Sequence, residues 1–261
     1  MIYFYTLLIF LLLAGSQELF RRSQYVTLAC FGILPFVLIG YWLGTGNTDW
    51  FKWVKIFSVI VAVWVLYLCR YTRLGEKRGF LSLIYGILAI NILEAVTKDY
   101  AGGGIAHICN AVAGAILIVT LPWPRFQDSH PAAMEIDRTG PHRDFLYNSI
   151  SRGWMLCYTL WNLIFIYLNY PDDTAIHIAV LGSALVFGWK RPELWFQARA
   201  FTLGTFLFYV FTLPETIVPF KTPQAFEPEL AVVGAGLSLL AALVYVFVLV
   251  AKPRFLSKTT V

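Results

Sequence analysis

The chain has 261 residues, of which 59% are hydrophobic and only 13% charged, against about 45–50% and about 25% in an ordinary soluble domain. That balance excludes a soluble globular domain and leaves an integral membrane protein. The net charge of +5 is spread over separate short segments, so it reads as membrane topology and contact with membrane lipids, with no nucleic acid as partner.

A hydrocarbon core about 30 Å thick needs about 20 apolar residues in a helix. Nine such runs occur, at about 2–21, 25–43, 50–70, 79–98, 103–121, 145–169, 174–189, 194–213 and 228–251. They predict an all-α, polytopic transmembrane helix bundle of about nine helices, with eight as the fallback because 174–189 is short and ends at Lys190-Arg191-Pro192. With the N-terminus outside and the C-terminus cytoplasmic, fifteen of the twenty basic residues fall on the inner side. Lys52, Lys55, Lys98 and Lys221 fall outside, and Arg199 lies within the eighth run. This is the positive-inside pattern, and an eight-helix count would break it for the later loops. Residues 1–261 thus read as a single integral membrane domain, with an inner loop at about 122–144 and a cytoplasmic tail at about 252–261, placed in a bacterial inner membrane.

In chain order, the first run has no Lys or Arg before it and Arg21-Arg22 after it, so it reads as a retained helix and not a signal peptide. Glu18 sits one turn from that basic pair and is also placed to form an inner-side ion pair with Arg199. Pro35 in the second run removes one backbone hydrogen bond and predicts a kink, tolerated where a neighbour satisfies the freed carbonyl. The stretch 44–49 is turn chemistry, and Trp42, Trp50 and Trp53 around it fit an interfacial aromatic belt. Lys52 snorkels to the surface, whereas Lys55 lies about one turn deeper.

The fourth run ends in Asn91-Ile92-Leu93-Glu94-Ala95-Val96-Thr97-Lys98-Asp99. Residues 91, 94 and 98 share one helical stripe, so Asn91, Glu94 and Lys98 are expected to face protein rather than lipid. An ionisable group inside a span costs about 2.5–3.5 kcal/mol on insertion scales, which marks Glu94 as a candidate functional residue. The blander account is an i,i+4 pair of Glu94 with Lys98, and for Lys98 and Asp99, nearer water, it is favoured. A Gly102-Gly103-Gly104 joint leads into the fifth run, where His107 and Asn110 share a face and enter at the depth of Glu94. Asn162 in the sixth run and His177 in the seventh add polar groups at the same outer level, although a packing role suits His177 equally well. The inner loop is rich in Pro and irregular, and the last run is apolar with small residues for close packing.

Several chemistries lack their residues. No His-Glu-x-x-His, Gly-x-Ser-x-Gly or Ser-x-x-Lys arrangement occurs, and Lys252 is badly placed for a Schiff base. Cys30, Cys69, Cys109 and Cys157 all lie within apolar runs and suggest neither a disulfide framework nor a zinc site. No metal and no cofactor is expected. Oligomeric state has no signature in the sequence.

The runs Glu18-x-x-Arg21-Arg22, Trp50-Phe51-Lys52-Trp53-Val54-Lys55, Asn91-Ile92-Leu93-Glu94-Ala95-Val96, Asn110-x-x-x-Gly114, Trp161-Asn162 and Gln197-x-Arg199-Ala200-x-Thr202-Leu203 together resemble, over about 15–215, a family of bacterial multi-pass membrane proteins classed as a domain of unknown function. The Asn-Ile-Leu-Glu-Ala-Val run is its most specific motif. The resemblance implies that Asn91 and Glu94 are family features, and it brings no activity.

The sequence therefore points to a channel or transporter-like protein whose outward-facing polar pocket, built from Lys55, Asn91, Glu94, Lys98, His107, Asn110, Asn162 and His177, takes a small polar or ionic solute or relays protons. The alternatives are an intramembrane enzyme acting on a lipid or lipid-linked substrate, and a structural or accessory subunit of a membrane complex.

Overall fold

A computed structural model describes residues 2–44, 49–123, 134–213 and 226–256. The turn residues 45–48, Arg125 within 124–133, Lys221 within 214–225, and the tail from 257 lie outside the described residues. Among the described residues there are nine long helices: α1 Ile2–Arg22, α2 Gln24–Gly44, α3 Trp50–Tyr71, α4 Arg78–Gly102, α5 Gly104–Val119, α6 Arg152–Asn169, α7 Thr174–Lys190, α8 Trp195–Thr212 and α9 Pro228–Leu256. The expected all-α bundle is present. Five of them, α1, α2, α3, α4 and α9, are long and apolar enough to cross a membrane, and α5 is a shorter apolar helix. Large apolar side chains such as Tyr3, Phe4, Leu7 and Leu11 on α1 and Leu237, Leu240 and Phe247 on α9 are exposed. A protein with such faces belongs in lipid.

Three boundaries differ from the sequence reading. Helix α4 runs to Gly102 and α9 to Leu256, because charged side chains such as Lys98 and Asp99 leave the backbone ladder of α4 intact. The sixth helix starts at Arg152 rather than near 145, capped by the Ser151 hydroxyl, which accepts from Trp154 N at 3.1 Å. The chain ahead of it, expected to be irregular, forms a hairpin of β1 Met134–Ile136 and β2 Phe145–Tyr147, paired antiparallel with Ile136 opposite Phe145.

The kink expected at Pro35 is a π-helical stretch, Leu28–Ile33, inside α2. Pro35 cannot donate to the carbonyl four residues back, and that carbonyl, of Phe31, instead accepts from Trp64 Nε1 of α3 at 2.6 Å. Trp42, expected at the interface, is fully buried and donates to the Thr212 hydroxyl at 3.1 Å. Two consecutive glycines at positive φ, Gly103 at 70° and Gly104 at 76°, turn α4 into α5. Helix α8 is nearly surrounded, packing against α1, α2, α3 and α7, while α6 touches α4, α5, α7 and α9.

The hairpin closes the end of the bundle where α1 and α3 stop and α6 and α8 start. Arg70, fully buried, donates to the carbonyls of Phe20 (3.4 Å), Arg21 (2.5 Å), His142 (2.8 Å) and Arg143 (3.0 Å). Asp144 accepts from Arg21 Nε at 2.9 Å and Nη2 at 2.8 Å, and from Gln197 Nε2 at 2.9 Å. Gln197 Oε1 in turn accepts from Phe145 N at 2.9 Å. Burial alone would raise the Asp144 carboxyl, but the Arg21 and Gln197 hydrogen bonds and the charges of Arg21 and Arg70 outweigh it and hold the group below the usual carboxylate range.

The predicted Glu18–Arg199 pair does not form. Glu18 binds Arg21 Nη1 at 3.1 Å and Arg22 Nε at 2.7 Å on its own helix. The reason is rotation: Thr205 faces α1, where it accepts from the Ser16 hydroxyl at 3.4 Å. Six residues of helix turn Arg199 about 120° away from that face.

Candidate functional site

Lys55, Asn91, Asn162, His177 and Arg199 line one partly open cavity of about 80 Å³. They come from α3, α4, α6, α7 and α8. Phe51, Phe165, Leu203, Phe206 and Phe211 supply apolar wall, and Lys52, Tyr170 and Asp173 belong to helix ends and a connection at the opposite end from the hairpin. The wall extends along α8 from Arg199 to Phe211, about 18 Å of helix. A second void of about 30 Å³ shares Asn91, Arg199 and Leu203 and is also lined by Tyr158 and Phe196. Beyond it the Trp195 ring packs edge to face with Trp154 at 5.6 Å and with Tyr158 at 4.9 Å, and Trp154 and Tyr158 stack on each other at 5.5 Å.

Lys55 Nζ donates to Glu94 Oε2 at 3.0 Å and to the Asn91 carbonyl at 3.2 Å. Both charges of that pair are mostly buried, so each neutralises the other in a region of low polarity. His177 Nδ1 lies 3.1 Å from the Asp173 carbonyl, which can only accept, so Nδ1 carries the hydrogen. The ring stands edge-on to Phe206 at 4.9 Å. Arg199 is different. Only 6% of the residue is exposed, and its Nε and Nη1 are buried with no hydrogen-bond partner among the described residues.

A family model described as a family of unknown function, DUF5692, matches residues 1–260. The chain belongs to that family. No curated protein and no solved structure matches it. Membership covers more of the chain than the 15–215 of the motif resemblance, and the family carries no activity to transfer.

Not all the residues singled out in this family member meet. Lys98 does not pair with Glu94; its Nζ donates to the Tyr170 hydroxyl at 2.6 Å and lies 4.6 Å from the Phe51 and Tyr170 ring centroids. Tyr170 donates on to Asp49 Oδ2 at 3.3 Å. Burial, then the nearby Asp49 charge, pushes that phenol up, so it stays a neutral link between the two ions. His107 and Asn110 turn to Asp99 rather than Glu94: Asn110 Nδ2 donates to Asp99 Oδ2 at 2.7 Å, and His107 Nδ1 lies 3.3 Å from Oδ1. Asn169 of α6 completes the group at 2.6 Å from Asp99 Oδ1.

Asp99, placed nearer water by the sequence reading, is fully buried. The signal for it was available: Leu88, Ile92, Ala95 and Asp99 recur at spacings of four, three and four, and these are the buried residues of α4 from Leu88 onward. Asn91, Glu94 and Lys98 flank that stripe and are only half-buried. Among the described residues no group of three His, Cys, Asp or Glu is placed to hold a metal ion.

Proposed function

We propose that this membrane protein is a carrier for a small polar or ionic solute, which it binds in the Lys55–Arg199 cavity. The carrying observation is that polar side chains from five helices converge on one cavity whose lining reaches the helix ends at Lys52, Tyr170 and Asp173, while the packed Trp154, Tyr158 and Trp195 rings and the Asp144 hairpin lie toward the other end. That asymmetry is the form of a carrier caught accessible from one side. With the basic residues on the cytoplasmic side of a bacterial inner membrane, the accessible side is external, the N-terminus lies outside and the chain acts as one integral membrane domain. A solute entering past Lys52 and Tyr170 meets Lys55 and Asn91 and stops at Arg199. Release to the other side requires Trp154, Tyr158 and Trp195 to separate. The cavity size favours a small solute over a lipid or lipid-linked substrate, because sites for larger molecules measure about 300–1,000 Å³.

The test is osmotic swelling of vesicles carrying the purified protein, with sodium formate, sodium acetate, acetamide and urea as test solutes. At least one solute should enter faster than into protein-free vesicles, and Asn162→Trp, which fills the cavity, should return the rate to background. Rates equal to protein-free vesicles for the whole panel, or unchanged entry in the Asn162→Trp protein, would sink the carrier reading.

A further inference from the structure

We propose that the cavity is a built site for a small oxyanion, a carboxylate or a phosphate, anchored by the Arg199 guanidinium. This rests on reading the cavity as the solute site and names the class of solute. A buried cation without a partner is unfavourable by several kcal/mol, so a folded chain keeps one where a counter-charge is meant to arrive. Arg199 meets that description: it is buried, it lines the cavity, and its Nε and Nη1 donate to nothing described. The same chain satisfies fully buried Arg70 with four backbone carbonyls, so bare guanidinium nitrogens are not a general habit of the fold.

The carboxylates that could have served Arg199 are engaged elsewhere. Glu94 is held by Lys55, Asp99 by His107, Asn110 and Asn169, and Asp144 by Arg21 and Gln197. At the entrance, Lys52 and Asp173 both line the cavity, one charge of each sign. Among the described residues the interior is left with one unmatched positive charge, and a monoanion would make it neutral. An oxyanion suits the donors, since a guanidinium presents paired N–H groups to two acceptor oxygens and the Asn91 and Asn162 amides can supply neutral hydrogen bonds.

Size narrows the class. A void needs about 10–15 Å³ on this measure to hold a water, so about 80 Å³ takes a handful of waters or a solute of formate, acetate or phosphate size. The phenylalanines of the wall leave room for a short apolar group on the anion.

The experiment is thermal unfolding of the purified full-length protein in detergent, titrated with sodium acetate, sodium phosphate and acetamide. Sodium gluconate, a carboxylate too bulky for the cavity, matches the ionic strength. Acetate or phosphate should raise the midpoint saturably, and acetamide, of the same shape as acetate but uncharged, should not. Arg199→Gln should weaken the response at least about tenfold, the worth of a charge-assisted hydrogen bond, while leaving the anion-free midpoint no lower than wild type. Arg199→Lys, which keeps the charge and loses the paired geometry, should fall between. Equal shifts with acetamide and acetate, no saturable shift with either anion, or an undiminished response in Arg199→Gln would each overturn the proposal. The acetate–acetamide comparison needs no variant, so it decides even if a substitution fails to fold. Saturable anion binding without vesicle swelling would leave this site standing and remove the carrier reading. Swelling by neutral and charged solutes alike, with no anion-specific shift, would do the reverse.

Discussion

Arg70 and Arg199 are both buried, on helices α3 and α8, and their surroundings are opposite. Arg70 gives its donors to carbonyls of Phe20, Arg21, His142 and Arg143 and so ties the end of α1 to the hairpin. Arg199 keeps Nε and Nη1 without a hydrogen-bond partner among the described residues, against a cavity. The hairpin end carries its charges as a closed network, in which Asp144 joins Arg21 to Gln197, and even Arg143, at a left-handed φ of 51°, is fixed by its carbonyl. The cavity end leaves one charge uncompensated. A satisfied network adds rigidity; an unsatisfied group stores free energy that a ligand can release.

The sharpest way to break this contrast is to replace each arginine with Met. Arg70→Met should cost about 3–5 kcal/mol, because it strands buried carbonyls, whereas Arg199→Met should cost nothing or stabilise the anion-free protein; unfolding in detergent measures both. Equal losses at the two sites would dissolve the distinction. Next in size, Asp144→Ala should cost about 2–4 kcal/mol, since it leaves Arg21 and Gln197 facing an empty position.

The pH dependence at Asp144 follows from its depressed pKa. Unfolding returns the carboxyl to the ordinary range, so the unfolded chain binds the proton more readily than the folded one. Its stabilisation is complete above that range and drains away as pH falls toward the lower folded value. Unfolding of the wild type should therefore grow easier between about pH 5 and pH 3, and Asp144→Asn should flatten that slope. A slope unchanged in the variant would assign the acid sensitivity elsewhere.

Two smaller effects probe packing between the ends. A Cβ on Gly114 would stand 2.5 Å from Val96 Cγ2 and 2.6 Å from Trp161 Nε1. Gly114→Ala should then cost about 1–3 kcal/mol by overpacking where α4, α5 and α6 meet, and loosened helices there should also weaken anion binding. Trp64→Phe removes the donor to the carbonyl freed by Pro35 and should cost about 1–2 kcal/mol, with no change in anion binding.

Much of the architecture was legible in the sequence, and much of the cavity was not. The runs of apolar residues located nine helices, and Lys55, Asn91, Asn162 and His177 were recognised as polar groups at one level. Glu94 was expected to meet His107 and Asn110, yet it joins Lys55, because α4 turns Asp99, and not Glu94, toward α5 and α6. Arg199 was read as the partner of Glu18, since helix register alone brings two opposite charges to one end. Rotation of α8 against α1 removed that option, and the helices around α8 placed its guanidinium against the cavity.

The sequence by itself determined the membrane class and the nine helices of the described residues. Those depend on the length of an apolar run against the thickness of a bilayer and on a rise of about 1.5 Å per residue. Only the tertiary structure decided which charge meets which, because each residue turns a helix by about 100° and a partner is chosen by the helix that happens to face it. Glu94 found Lys55 and Asp99 found Asn110 by that rule. Arg199 found none.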